Sequence, residues 1–305
     1  MPRKLRVHNL ESVGYSPKAQ AIIESFAEYE TVVNAKFPPP DVYITRLQPL
    51  FNGWHTDIDI KAVVTATTGL DHINQTYCRD QLIDILSLQG ETEFLQDVHA
   101  TAEHTFALML ALLRKIPQAV EHTKEGGWDR YRFIGNELHG KTLGILGYGR
   151  VGKQVAQIAQ AFGMSVWGYD KYDDYRKPSL KLFLEGSDAL TIHVPLNDET
   201  RGMIGRDEIY SMPKGAYLIN TSRGEVVDEV AVVDALEKGH LSGAALDVLR
   251  KEDSATTNMW ASAVQETENL IITPHIGGAT HESMEKTEIF MAEKLKRWAQ
   301  EKGYA

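Results

Sequence analysis

Between residues 142 and 273 the chain alternates short apolar runs with stretches of helical period. The runs are TLGIL (142–146), SVWGY (165–169), ALTIHV (189–194), AYLIN (216–220), GAALDV (243–248) and NLIIT (269–273). They have the length and β-branched content of buried strands. Strands that alternate with helices bury their apolar faces in a parallel sheet covered by helices on its two sides. The predicted class is therefore α/β.

With 305 residues the chain suggests about two domains. Apolar residues make up 43% and charged residues 24%, the range of an ordinary globular protein. A net charge of −10 argues against a nucleic acid or an anionic membrane as the main partner. It leaves an anionic small molecule open, because a few local arginines can dominate a site. The lone cysteine, Cys78, excludes an internal disulfide framework and a Cys-rich zinc site, and no metal is expected. MPRKLRVHNLESV at the start has no apolar signal core. The longest apolar run, FALMLALL (106–113), falls far short of the about 20 residues that span a membrane. The expected location is the cytoplasm.

Residues 1–98 show weaker patterns, with strands expected at DVYIT (41–45) and AVVTA (62–66) and Pro49 and Gly53 as breakers between them. A helix is expected from Ala100 to Ile116, stopped by Pro117. Its apolar residues lie nearly all round, which predicts burial on more than one side. A last helix near 280–300 sets Met284, Met291, Leu295 and Trp298 at helical spacing, and is expected to leave the sheet domain and dock elsewhere.

After TLGIL comes GYGRVG, so Gly147, Gly149 and Gly152 fit G-x-G-x-x-G. The first glycine allows a tight turn, the second admits a pyrophosphate to the backbone, and the third lets helix and strand pack closely. The helix that follows would point its N–H groups at the phosphates. The next strand leads to Asp170, 23 residues after Gly147, near the spacing of a ribose-binding carboxylate. A carboxylate there accepts bonds from ribose hydroxyls and repels a 2′-phosphate, which predicts NAD over NADP. Lys171 and Arg176 leave room for dual use.

Three more stretches stand at strand ends: NTSRGEVVDE (220–229), LDVLRKED (246–253) and TPHIGGAT (273–280). They supply an arginine, acidic residues and a histidine. That set suits hydride transfer to a 2-keto acid. Arginine can hold a carboxylate and polarise a carbonyl. Histidine can exchange the hydroxyl proton, and a carboxylate behind it orients the ring and favours its protonated form. Taken singly, Arg223 could bridge loops, Glu252 could be a solvated charge and His275 could satisfy a carbonyl.

The ordered segments TTGLDHIN, ATAEHTFALMLALLRKI, ELHGKTLGILGYGRVGKQVA, HVPLNDETRGMI, MPKGAYLINTSRGEVVDEVAVVDALEKGHLSGAALDV and TPHIGGAT resemble the NAD-dependent D-2-hydroxyacid dehydrogenases of the phosphoglycerate dehydrogenase-like kind. The resemblance covers roughly residues 60–285. It implies two Rossmann-like domains with parallel sheets and a cleft between them. It implies a catalytic set of Arg223, Glu252 (29 residues later) and His275, with space left by Gly277 and Gly278 for the nicotinamide. It further implies pyrophosphate contacts at Arg150 and Val151. Contacts to the rest of the cofactor fall on Val194, Thr200, Thr221, Ser222 and Asp247. A substrate-carboxylate loop falls at Thr68 and Gly69, and Arg46 lies near the place of a phosphate-binding arginine.

The resemblance sets the domain boundaries at 1–98 with 282–305 for substrate and 99–281 for NAD. It implies a homodimer through the 100–116 helix and the loops after it. The family's pattern departs at LDVLRKEDSATTN, where Asp253 competes with Glu252 for the histidine. No regulatory C-terminal domain is expected. The reaction expected is hydride exchange between NAD(H) and a D-2-hydroxy or 2-keto acid, with 3-phosphoglycerate, glyoxylate and hydroxypyruvate all open. Phosphite dehydrogenase is an alternative, formate is disfavoured by Glu252, and an NAD-sensing corepressor is a more distant reading.

Overall fold

The computed structural model describes residues 3–31, 39–51, 59–171, 179–252, 260, 261, 263–265, 267 and 269–305. Gly53, Arg176 and Asp253 lie outside them. The chain packs as two compact units, residues 1–97 with 280–305, and residues 98–279.

The first unit holds β1 (Leu5–Asn9), β2 (Ala27–Thr31), β3 (Val42–Thr45), β4 (Ala62–Thr65) and β5 (Asp84–Leu86) in one sheet of order β2-β1-β3-β4-β5. Every pairing is parallel, with Asn9 opposite Ile44 and Thr45 opposite Thr65. β3 and β4 are buried along their whole length, which is why their sequences read clearly as strands. β1 and β2 mix polar with apolar residues, and β5 is only three residues long, so they carry little signal. Helix α1 (Pro17–Glu24) begins with proline at its first position, where no amide bond is lost. α2 (Gln75–Asp80) is capped by Asn74, which accepts from Tyr77 N at 3.0 Å, and α3 (Thr92–Leu95) is a single turn.

The second unit opens with α4 (Ala100–Leu113). The helix ends earlier than the sequence pattern predicts. Lys115 takes left-handed backbone at φ 51°, and Pro117 falls in the first turn of the next helix, α5 (Ile116–Lys124). Proline thus starts a helix here, because its missing N–H belongs to the groups that have no partner anyway. Phe106, Leu108, Met109, Leu112 and Leu113 are buried while Glu103 and Ala107 are exposed, so burial covers a wide arc and not the whole circumference.

The sheet that follows contains β6 (Thr142–Leu146), β7 (Ser165–Tyr169), β8 (Ala189–Ile192), β9 (Ala216–Asn220), β10 (Leu241–Leu246) and β11 (Leu270–Ile272). Its order is β11-β10-β9-β8-β6-β7, all parallel. Between the strands run α6 (Arg150–Ala161), α7 (Leu180–Glu185), α8 (Arg206–Ser211) and α9 (Glu229–Glu237), the last capped by Asp228 on Val230 N and Ala231 N. One face packs Phe183, Leu190, Leu218 and Val232, and the other packs Phe106, Met109, Ile145 and Val155. Two predicted strands end sooner than their apolar runs. ALTIHV stops at Ile192 and GAALDV at Leu246, which leaves His193, Val194 and Asp247 in the loops beyond the sheet.

The final helix α10 (His281–Glu301) belongs to the first unit and packs against α1. Met291, Leu295 and Trp298 are buried and Met284 is half-buried. Trp298 Nε1 donates to Asp84 Oδ2 at 2.8 Å.

The order of the second sheet has a functional consequence. From β6 the chain crosses outward to β7, then back over β6 to β8. The crevice at such a reversal, outside the carboxyl ends of the strands, is where open parallel sheets bind ligands. The loops after β6 and β8 meet there.

Candidate active site

Gly147 follows β6 directly, with φ +93°, in the left-handed region that glycine enters without cost. A Cβ on it would come within 2.6 Å of His193 C and 2.7 Å of Val194 N, so the two loops touch through backbone alone. A Cβ on Gly152 would meet Gly147 O at 2.1 Å, so α6 lies hard against the turn. A Cβ on Gly149 would meet nothing within 4 Å. The first and third glycines are therefore required by the protein's own packing, and the middle one borders open space. Among the described residues no side chain caps the start of α6, so its first amides, at Arg150, Val151 and Gly152, are open to a ligand. This cradle fits the pyrophosphate of a dinucleotide. The Arg150 side chain turns away and donates from Nη1 to Val98 O at 2.8 Å.

Asp170 lies one residue past β7, and its Oδ2 accepts from Tyr148 N in the glycine turn at 2.8 Å. It is a brace for the turn as well as a carboxylate at the end of a strand. Lys171, expected to soften the choice of cofactor, places Nζ 2.6 Å from Glu199. Ser222 Oγ donates to Val194 O, which ties the loops after β8 and β9. Thr221 Oγ1 lies 3.0 Å from Thr105 Oγ1 on α4. The hydroxyl of Thr200 turns inward and donates to Pro195 O at 2.6 Å, so the side chain holds its own loop. Burial pushes the His193 imidazole down to about 3, so the ring beside the glycine turn is neutral.

The carboxyl ends of β9, β10 and β11 are neighbours in the sheet, and they carry Arg223, Glu252 and His275. Arg223 sits in a loop held by Asn220, whose Nδ2 donates to Arg223 O at 2.9 Å while its Oδ1 accepts from Ser222 N at 3.0 Å. A Cβ on Gly224 would meet Leu249 C at 2.0 Å. The arginine loop thus lies directly on the backbone that leads to Glu252. Glu252 Oε2 is 2.8 Å from His275 Nδ1. The structure therefore brings together the histidine of TPHIGGAT and the glutamate that lies 29 residues after Arg223.

His275 has φ 54°, left-handed backbone that a histidine enters only with some strain. Asp247 explains how it is kept. His275 N donates to Asp247 O at 2.8 Å. The Asp247 side chain, 1% exposed, accepts from Ile276 N at 2.9 Å, Gly277 N at 2.8 Å and Thr273 Oγ1 at 2.6 Å. His104 Nε2 of α4 lies 3.1 Å from its Oδ1. A Cβ on Gly277 would stand 2.9 Å from Asp247 Oδ2, whereas one on Gly278 would meet nothing within 4 Å. His104, Thr273 and Asn220 were not picked out from the sequence. The first is hidden in the apolar run of a helix, and the other two look like ordinary polar strand ends.

The remaining candidates belong to the first unit. Thr68 and Gly69 follow β4, and their N–H groups make no hydrogen bond among the described residues. Arg46 follows β3, but its guanidinium is turned to Glu288, with Nη2 to Oε1 at 2.8 Å. The resemblance had put a phosphate-binding arginine near that place.

Asp247 gives a prediction. Burial, the largest influence, raises its carboxyl, but the bonds from His104, Thr273, Ile276 and Gly277 together outweigh it and leave the group below its usual value. A lowered folded value adds stability above the unfolded value of about 3.9, and that stability is lost as pH falls through the folded one. Asp247→Asn should therefore lower Tm clearly at pH 7, and the gap to the unaltered protein should shrink towards pH 3. Thermal unfolding across that range checks it, and a constant gap would count against the account.

Residues 106–277, over half the chain, match the model of the D-isomer specific 2-hydroxyacid dehydrogenase NAD-binding domain. The chain is 36% identical over 249 residues to the D-3-phosphoglycerate dehydrogenase of Bacillus subtilis, a match covering 79% of this chain and 45% of that protein. It spans about half the length of that and similar phosphoglycerate dehydrogenases. It is 34% identical over 304 residues to the glyoxylate reductase of Thermococcus litoralis, covering 90% of this chain and 88% of that one. The crystal structure of D-lactate dehydrogenase from Aquifex aeolicus with NAD and lactic acid superposes at TM-score 0.80 with 27% identity, over 97% of this chain and 95% of that chain. With the dinucleotide cradle and the histidine–carboxylate pair in place, the matches establish that the chain belongs to the D-isomer specific 2-hydroxyacid dehydrogenase family.

Proposed function

We propose that the chain interconverts 2-keto acids and D-2-hydroxy acids with NAD(H). The observation that carries this reading is the 2.8 Å pair of Glu252 and His275 beside the Arg223 loop, in a unit that also holds the glycine cradle. NAD(H), when bound, supplies or accepts the hydride. Arg223 holds the substrate carboxylate and polarises the carbonyl, as a guanidinium fork does well. His275 gives its proton to the carbonyl oxygen in reduction and takes it from the hydroxyl in oxidation. Glu252 fixes the ring through Nδ1 and so reserves Nε2 for that exchange. The N–H groups of Thr68 and Gly69, which make no hydrogen bond among the described residues, suit a carboxylate. Asp170 takes the ribose hydroxyls. Thr221, Ser222 and Val194 stand along the remaining cofactor path, Asp247 and Thr200 hold the loops beside it, and Gly277 and Gly278 leave space at its nicotinamide end. The first unit is then the substrate domain and the second the NAD domain of a cytoplasmic enzyme. No helix among the described residues is long and apolar enough to cross a membrane.

The proposed assembly is a homodimer. The support is an apolar surface on α5 and the chain after it. Trp128 is 93% exposed, Tyr131 75% and Ile134 68%, with Ile116 and Val120 close by in sequence. Large apolar side chains so concentrated on one short segment mark a surface for another protein. Light scattering at micromolar concentration should give twice the chain mass. Trp128→Glu with Tyr131→Glu should give the single-chain mass, and an unaltered protein that is active as a monomer would refute the assembly.

His275→Ala should lower kcat by about 10²–10⁴, the usual worth of a positioned proton donor, with little change in NADH binding. Glu252→Gln should lower kcat, because a neutral amide holds the Nδ1 side of the ring less firmly than the carboxylate does. Full turnover by His275→Ala would end this reading.

The unaltered protein should prefer NADH to NADPH in kcat/KM. Asp170→Asn is the informative variant, since asparagine can still accept from Tyr148 N while the charge is gone. It should narrow the gap. A preference for NADPH in the unaltered protein would overturn the role given to Asp170.

A further inference from the structure

The first sheet has a reversal of its own. Its order β2-β1-β3-β4-β5 places it between β1 and β3, whose crossovers leave in opposite directions. By the rule that locates the dinucleotide crevice in the second sheet, a ligand crevice is expected at the carboxyl ends of these two strands. Three consecutive N–H groups, those of Arg46, Leu47 and Gln48, converge there on a single point. Successive amides turned to one point make an anion site.

The anion they hold is the protein's own. Glu11 Oε1 accepts from Arg46 N at 2.5 Å, Leu47 N at 2.9 Å and Gln48 N at 3.3 Å. Burial alone would raise this carboxyl, but these amides and the Thr45 hydroxyl outweigh it and hold it below its usual value, so it is ionised at neutral pH. The Arg46 side chain is answered as well. Its partner Glu288, 4% exposed, takes Arg46 Nη2 on Oε1 at 2.8 Å and Ser16 N on Oε2 at 2.7 Å. One guanidinium and two carboxylates leave the cluster at a net charge of 1 − 2 = −1. The sealed phenol of Tyr15, raised chiefly by burial, adds no cation.

We propose that Glu11 and Glu288 are specificity-determining residues that fill the amide nest and neutralise Arg46 from within the chain, so that the substrate is a 2-keto acid whose distal end carries no phosphate. The inference rests on the chain being a 2-keto acid reductase. A phosphate at this crevice would have to displace one carboxylate from three amides and part another from its arginine, against net negative charge. A hydrogen, methyl or hydroxymethyl end requires neither.

The experiment compares hydroxypyruvate with its 3-phosphate, using NADH. The unaltered protein should favour hydroxypyruvate in kcat/KM by about tenfold or more, the size expected for one like charge at close range. Glu288→Gln keeps an acceptor for Ser16 N and removes the charge, and Glu11→Gln does the same in the nest. Each should shift the ratio towards the phosphorylated acid, and Arg46→Gln added to Glu288→Gln should reverse that variant's gain. A preference for the phosphorylated acid in the unaltered protein, or a ratio unmoved in both variants, overturns the proposal. Binding of inorganic phosphate, followed by calorimetry, separates it from the reading it rests on. If Glu288→Gln gains phosphate binding that the unaltered protein lacks, yet no 2-keto acid is reduced, the enzymatic reading fails and the account of the carboxylates stands. Tight phosphate binding by the unaltered protein sinks the latter directly.

Discussion

The buried carboxylate of Asp247 is the interaction on which the candidate site depends. It stands where β10 has run out, and it accepts from the two backbone N–H groups that follow His275. A left-handed histidine is strained when left to itself. Here the segment is over-determined, because an ionised group that has been taken from water must be met by donors, and the donors within reach are that loop, Thr273 and His104. The requirement of one charge for hydrogen bonds thereby fixes where the imidazole stands, and Glu252 meets it at Nδ1. Helix α4 is joined to the same point through His104, so the packing of a helix and the position of a proton carrier are not independent.

The two sheets use one topological rule to different ends. In the second, the reversal between β6 and β8 is lined by backbone, and Gly149 borders open space beside uncapped helix amides. In the first, the reversal between β1 and β3 gathers three amides and closes them on Glu11. Whether such a crevice serves a ligand depends on what side chains the chain itself places there. Fold alone does not decide it. A site reading that stopped at the arginine would give Arg46 a charge to offer, although Glu288, more than 200 residues later, has already taken it.

Much of the fold was legible because the chemistry is local. All six strands of the second sheet overlap apolar runs that can be read directly, most clearly β8 and β9, which are buried along their whole length and so are apolar almost throughout. The errors sit at the ends. ALTIHV and GAALDV continue as apolar sequence past the last ladder bond, and Pro117 looks like the stop of one helix while it is the start of another. The first sheet was read only in β3 and β4, its fully buried strands. β1, β2 and β5 are short or partly polar, and their register comes from neighbours that sequence periodicity does not see.

The sequence by itself determined the dinucleotide turn, the alternation of strands and helices around it, and the residues able to move a proton. Glycine spacing, strand periodicity and the chemical types of Arg223, Glu252 and His275 are properties of short segments. The tertiary structure decided how those groups are held and which of them are already engaged. Asp247 and His104 organise the site through contacts far apart in the chain, Thr200 turns into its own loop, and Arg46 is matched by a carboxylate from the last helix. Charge compensation acts through space over a few ångströms, and the distance along the chain between two such partners carries no trace of it.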